Sequence, residues 1–385
     1  MSRVDDSRSS APNPSKSSGT MSGQPSLAHA LQHADLLLTC GPGGVGKTTT
    51  AAALGVAAAR AGRRTVVVTV DPARRLADAL GLDDSAVADE PHRVSGVTKR
   101  STDGELFALM LDAEQTFDRL VRDQAGTRKQ AEAILNNPVY RAISGSLSGA
   151  QEYMAIERLH QLHTSGEWDL VIVDTPPSRH AIDLLEAPDR LVGFLSHPVY
   201  RTLTVGQRAF AKITDAASSM FLWAVKRLAG PQIVEDTVQF FRSLANIEGG
   251  LRDRAKQVSK LLRSDRTAFV VVASPRAEAV GEAEHLLDAI SEKHFPLGGV
   301  VVNLIHPLPI EFSEEVREEL DGLDDGPLRE HVEWHRELTG LALAERAQIS
   351  ALHRLAGDAP VVELPLLDAD IHDVPGLIGL AERLV

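Results

Sequence analysis

The sequence predicts an α/β fold: a doubly wound, mostly parallel sheet of the P-loop NTPase type, with an inserted helical subdomain. Three observations predict it. Short Val, Leu and Ile runs without polar alternation recur at 36–39, 65–70, 106–111, 170–173, 268–273, 299–304 and 361–364. Such runs suit strands covered on both faces, hence a parallel sheet between helical layers. Helix-forming segments separate most of these runs, as parallel connections require. Finally, the first run leads into Gly41-Pro42-Gly43-Gly44-Val45-Gly46-Lys47-Thr48, which fits G-x-x-x-x-G-K-[ST] throughout.

Each element follows in turn. The run 36–39 is the strand that the glycine loop needs before it, and the Ala-rich stretch 49–59 is the helix it needs after it. The glycines let the backbone curl with its N–H groups inward, and the helix N-terminus adds partial positive charge. Lys47 reaches the β- and γ-phosphates, and the Thr48 hydroxyl ligates Mg²⁺. The expected nucleotide-binding residues here are therefore Gly41, Pro42, Gly43, Gly44, Val45, Gly46, Lys47, Thr48 and Thr49.

Strand 65–70 ends in Asp71-Pro72-Ala73-Arg74-Arg75. Two roles are open for Asp71. Its carboxylate can orient a water beside the γ-phosphate, the main protein task in phosphoryl transfer to water. It can also cap the helix that Pro72 begins. Strand 170–173 closes on Asp174-Thr175-Pro176-Pro177, a Walker B arrangement in which Asp174 holds Mg²⁺, usually through water. Ser178-Arg179-His180 then start a helix. His180 either responds to the γ-phosphate or bonds to backbone, and the residues do not separate these.

Residues 1–27 are rich in Ser, Pro, Gly, Asp and Arg, and are expected to form a disordered tail. Domain organisation beyond it, 28–385, is interrupted by two stretches without strands, about 113–166 and 191–264. The second holds much of the aromatic content of a chain only 4% aromatic, which suggests that the two pack as one helical subdomain. Segment 313–355, charged with both signs, reads as a solvated covering layer.

Composition sets limits. The 385 residues carry a formal net charge of -13, which argues against sequence-independent nucleic-acid binding. A single cysteine, Cys40, makes an internal disulfide or a cysteine-based zinc site impossible and fits a reducing compartment. Cys40 itself reads as a small buried residue at a strand end. No apolar run approaches a membrane span, and no secretory h-region precedes the first strand. The five methionines do not suggest a Met-lined groove. A GTPase is disfavoured by the absence of an N-K-x-D segment.

Taken together, these motifs resemble the ArsA-type ATPases, which include the tail-anchored-protein targeting ATPases. Asp71-Pro72-Ala73 is similar to their first switch and Asp174 through His180 to their second, written D-T-A-P-T-G-H. Leu184-Leu185-Glu186-Ala187-Pro188 resembles the segment that follows it, and Gly149-Ala150-Gln151-Glu152 a step before the Walker B strand. Val301-Val302-Asn303 resembles the strand whose Asn reads adenine, and Leu364-Pro365-Leu366 the adenine-flanking loop. The resemblance covers about residues 34–385 as one copy. It implies ATP and Mg²⁺ as cofactors, Asp71 and Lys47 as catalytic residues, and a dimer that clamps two nucleotides face to face. It also implies helical subdomains that move with nucleotide state, and a cytoplasmic protein that reaches membranes through a partner.

Three departures shape the expected function. Pro42 stands where the family carries a lysine that reaches the partner's phosphates, so turnover is expected to be slow unless a second subunit or another basic residue replaces it. Arg74, Arg75 and Arg179 are candidates. One cysteine excludes both the family's C-x-x-C zinc closure and a metalloid thiolate site. The leading expectation is an ATP-hydrolysing dimeric switch, homodimeric or paired with a related ATPase, whose helices bind an apolar protein client or membrane-associated partner. The competing expectations are a low-turnover regulatory subunit beside a paralogous ATPase, a partition-type ATPase and, less favoured, a small-molecule kinase.

Overall fold

A computed structural model describes residues 26–70, 75–81, 89–98, 100, 103–137, 150–197 and 248–385. Within it, α1 (Leu27–His33) is capped by Ser26, and Leu27 is buried. The expected tail boundary at 27 therefore falls inside this helix. The rest of the tail, the aromatic-rich 198–247, Asp71-Pro72-Ala73-Arg74 and Gly149 lie outside the described residues.

Expected and observed strands agree to within a few residues. The strands are β1 (Leu36–Cys40), β2 (Thr65–Thr69), β3 (His92–Arg93), β4 (Leu106–Met110), β5 (Leu170–Asp174), β6 (Thr267–Ala273), β7 (Leu297–Ile305) and β8 (Val361–Pro365). They form one sheet in the order β3-β4-β2-β5-β1-β6-β7-β8. Every pairing is parallel except β3 with β4. β3 was not expected, because a two-residue edge strand carries no apolar run.

Burial on both faces explains the unalternated runs. Leu36, Leu38, Val66, Val68, Val171, Val173, Phe269 and Val271 face one apolar core. Their neighbours Leu37, Val67, Ile172, Val270 and Val272 face the other. On that second face α2 (Lys47–Arg60) packs against α12 (Val374–Leu384), whose Leu377, Leu380, Ala381 and Leu384 are buried. The C-terminal segment is therefore a covering helix.

Strand order positions the site. From β1 the chain moves outward to β2 and β4, returns to fill the gap with β5, then leaves on the other side through β6, β7 and β8. The direction reverses at β1, and such switch points open a crevice at the strands' carboxyl ends.

A third apolar cluster joins α4 (Ala113–Gln124), α5 (Arg128–Leu135), α6 (Ala150–Thr164), α7 (Ser178–Ser196) and α8 (Glu248–Leu262). α7 serves two cores. Leu184 and Leu185 face the sheet, whereas Ala187, Leu191 and Leu195 face the helices, and Pro188 lies inside the helix just after Ala187. On the same face of the sheet as Leu184 and Leu185 lie α9 (Ala277–Glu292) and α11 (Pro327–Leu355), with α10 (Glu314–Asp321) preceding α11. No residue of α10 is buried, and α11 buries Val332, Ala342, Glu345, Ile349 and Leu352.

Asp89 ties the sheet to the helices. It is fully buried, has φ 63°, and donates its N–H to the Met110 carbonyl at 2.7 Å. Its carboxylate meets Arg158 of α6 at 3.1 Å and Arg119 of α4 at 3.0 Å. Burial pushes the Asp89 carboxyl up and the Arg158 guanidinium down, and the mutual attraction of the charges opposes both shifts. Asp89→Ala strands the buried Arg158 charge. The expected loss is on the order of 3 kcal/mol, read as a lower denaturant midpoint.

Candidate phosphate-loop site

Residues 41–46 connect the end of β1 to the first turn of α2 across the switch point. Two glycines are required by close approach. A Cβ on Gly41, where φ is 155°, would lie 2.0 Å from the Val272 carbonyl oxygen, so the loop rests directly on the backbone of β6. A Cβ on Gly46, where φ is 90°, would lie 2.5 Å from Asn303 Nδ2. Gly46 is also the N-cap of α2 and offers no capping side chain. The first-turn N–H groups of α2 are therefore not capped by a side chain, which is the condition for anion binding there.

Register explains the acidic end of the site. Asp174 closes β5, level with Thr39 of β1 and Thr69 of β2. Its buried Oδ2 accepts from Thr48 Oγ1 at 2.7 Å and from Thr69 Oγ1 at 3.1 Å. Thr48 and Asp174 were each expected to serve Mg²⁺, and the structure brings them into direct contact; Thr69 was not expected, although its place at the end of an adjacent strand was the available signal. The hydroxyl and carboxylate oxygens suit a hard cation such as Mg²⁺. Lys47 is largely buried, and its Nζ donates to the Pro42 carbonyl at 2.7 Å.

Thr175 is buried and donates through Oγ1 to the Thr39 carbonyl at 2.8 Å, which fixes the chain as it leaves β5. Pro176 follows it, and Pro177 caps α7. The His180, Arg179 and Arg75 side chains, like Asp71, Pro72 and Ala73, lie outside the described residues. The short helix α3 (Arg75–Ala79) that follows Asp71 does reach the site, with Asp78 and Ala79 on its wall.

A cavity of about 400 Å³ opens at the phosphate loop, between Gly43, Lys47, Thr48, Thr175 and Pro177. A second, of about 240 Å³, lies between Asn303, Leu304, Leu364, Pro365 and Leu366. Gly44, Gly46, Thr49, Asp370 and Ile371 line both. The resulting cleft is polar at one end and rich in apolar side chains at the other. Asn303 Nδ2 donates to the Val45 carbonyl at 3.0 Å. Beside it Leu304 has φ 66°, where the β7–β8 register shifts, and this irregularity turns the strand end toward the loop. Asp370, Ile371 and His372 were not expected at the site, since a loop after the last strand carries no local signal.

Cys40 is wholly buried, and that burial pushes its thiol up to about 12. The thiol stays protonated at neutral pH, so native protein should resist iodoacetamide at about pH 8 and react on unfolding.

A glycine loop at the switch point, an aspartate-tipped neighbouring strand and a two-ended cleft define a phosphate-loop nucleotide hydrolase. Comparison with known proteins narrows this. The anion-transporting ATPase family matches residues 34–319, and the chain belongs to that family and is an ATPase. It is 28% identical to the ATPase GET3C of Arabidopsis thaliana over 360 residues, 88% of this chain and 78% of that protein. It is 24% identical to the ATPase ASNA1 homolog of Dictyostelium discoideum, over 90% of this chain and 88% of that one. A putative arsenical pump-driving ATPase 2 of Aquifex aeolicus is 22% identical, over 69% of this chain and 79% of that one.

Lys47→Ala deletes the loop's cation. Calorimetry with Mg·ATP should show that tight binding is lost, while the denaturant midpoint stays near that of the parent chain.

Proposed function

We propose that the chain is an ATP-hydrolysing dimeric switch whose helices, about 113–166 and 191–264, bind an apolar protein client or a membrane-associated partner. The observation that carries the nucleotide reading is the two-ended cleft, because its polar end suits a triphosphate and its apolar end a base. Asn303 and Pro365 flank adenine in this reading. Thr48 and Asp174 hold Mg²⁺, which neutralises charge on the β- and γ-phosphates. Lys47 leaves the Pro42 carbonyl for the phosphates. Asp71 orients the attacking water, and Asp71 through Ala73 and Asp174 through His180 respond to the γ-phosphate.

The family supports the dimer and the client, as does the helical cluster that shares α7 with the sheet. The protein is proposed to be cytoplasmic. Among the described residues, no helix is long and apolar enough to cross a membrane. Pro42 favours a second reading, in which this chain pairs with a related ATPase that supplies the missing lysine.

Asp71→Asn separates chemistry from binding. Turnover should fall at least about tenfold while ATP affinity stays within about tenfold. Activity per chain should also rise with protein concentration if a dimer forms the competent site. A parallel loss of affinity and turnover would make Asp71 a binding residue, and activity independent of concentration would remove the homodimer.

A further inference from the structure

The phosphate loop is short of a cation. Pro42 carries no charge, and Lys47 is the loop's sole basic residue. A triphosphate gathers negative charge at its β/γ end as the bond to the leaving group breaks, so a second positive charge there matters to rate.

The structure brings such a charge from another element. Because Gly41 has no side chain, the loop lies directly on the Val272 carbonyl at the end of β6. The chain leaving β6 passes through Ser274 and Pro275 to Arg276, the N-cap residue of α9. The Arg276 guanidinium then stands beside the loop. Its Nη2 is 4.0 Å from the point where a Cβ of Gly44 would be, and no other atom beyond Gly44 and its two chain neighbours is as near. Gly44 itself lines both ends of the cleft. Arg276 is exposed, and its guanidinium has no hydrogen bond or ion pair among the described residues. Its side chain does not cap α9. Its donors are therefore not engaged by the protein, and a guanidinium presents several of them to phosphate oxygens in a planar fork.

We propose that Arg276 is the second cation of the phosphate site, contacting the β/γ end of the bound triphosphate and supplying charge that Pro42 leaves out of the loop. This rests on the nucleotide-site reading above. It assigns the task to a residue about 230 positions along the chain from the loop, just beyond the strand next to β1 rather than in either switch segment.

The test uses the full chain and the variants R276A, R276K, P42K and P42K/R276A, with K47A as reference. Turnover is measured together with calorimetric affinities for Mg·ADP and for the Mg complex of a non-hydrolysable ATP analogue. R276A should lower kcat about tenfold and narrow the preference for triphosphate over diphosphate by a similar factor, at unchanged Tm. R276K should retain most of both. P42K should raise turnover more in the R276A background than in the parent chain, because the two cations serve one charge. R276A matching the parent chain in rate and in triphosphate preference would overturn the assignment. So would R276A and R276K losing activity equally with a lowered Tm, which marks a packing role. Failure of the nucleotide site itself would look different, since K47A would then bind both nucleotides as the parent does.

Discussion

A buried carboxylate organises the centre of the molecule. Asp174 ends the strand between β1 and β2, and its oxygen gathers hydroxyls from Thr48 at the start of α2 and Thr69 at the end of β2. A charge buried in this way is tolerable only when it is hydrogen-bonded. Meeting that condition draws the first turn of α2 down onto the sheet and sets the depth of the glycine loop. The loop's other face is set by contact, since Gly41 admits the Val272 carbonyl. The phosphate site is thus clamped between the tips of β5 and β6, and both clamps depend on strand order.

The two halves of the chain reach this centre differently. On one side, the residues after Asp71 lead to Asp89, whose carboxylate is shared by Arg119 and Arg158 on α4 and α6. Asp89 is fully buried and Arg158 largely so, which makes the charge on Asp89 strongly felt, whereas Arg119 reaches it from the exposed side. On the other side, Asn303 bonds the loop while His306, three residues on, bonds Glu345 of α11 through both its N–H and its ring, at 2.8 and 2.7 Å. The covering helix and the apolar end of the cleft are thereby fastened to the carboxyl end of one strand.

α7 joins the two regimes. It begins directly after Pro177, packs Leu184 and Leu185 against the sheet, and continues past Pro188 to place Leu195 in the helical cluster. A shift at its first turn would be felt in the helices without passing through any loop. This continuity also explains why a boundary expected near residue 191 does not interrupt a helix: the helix spans it.

Local chemistry made much of this legible in the sequence. Unalternated Val and Leu runs mark strands buried on both faces. The glycine loop, Lys47, Thr48 and Asp174 announce themselves because phosphate binding demands those residue types in tight local order. What the sequence could not determine depends on contacts between distant segments. Thr69 reaches Asp174 because β5 inserts between β1 and β2. Asp370 and Ile371 reach the cleft because α12 folds back onto α2. Arg276 stands beside Gly44 because β6 is β1's other neighbour. Spacing along the chain fixes what one loop can do, whereas strand order, set by how the whole sheet buries its two faces, decides which distant side chains share its site.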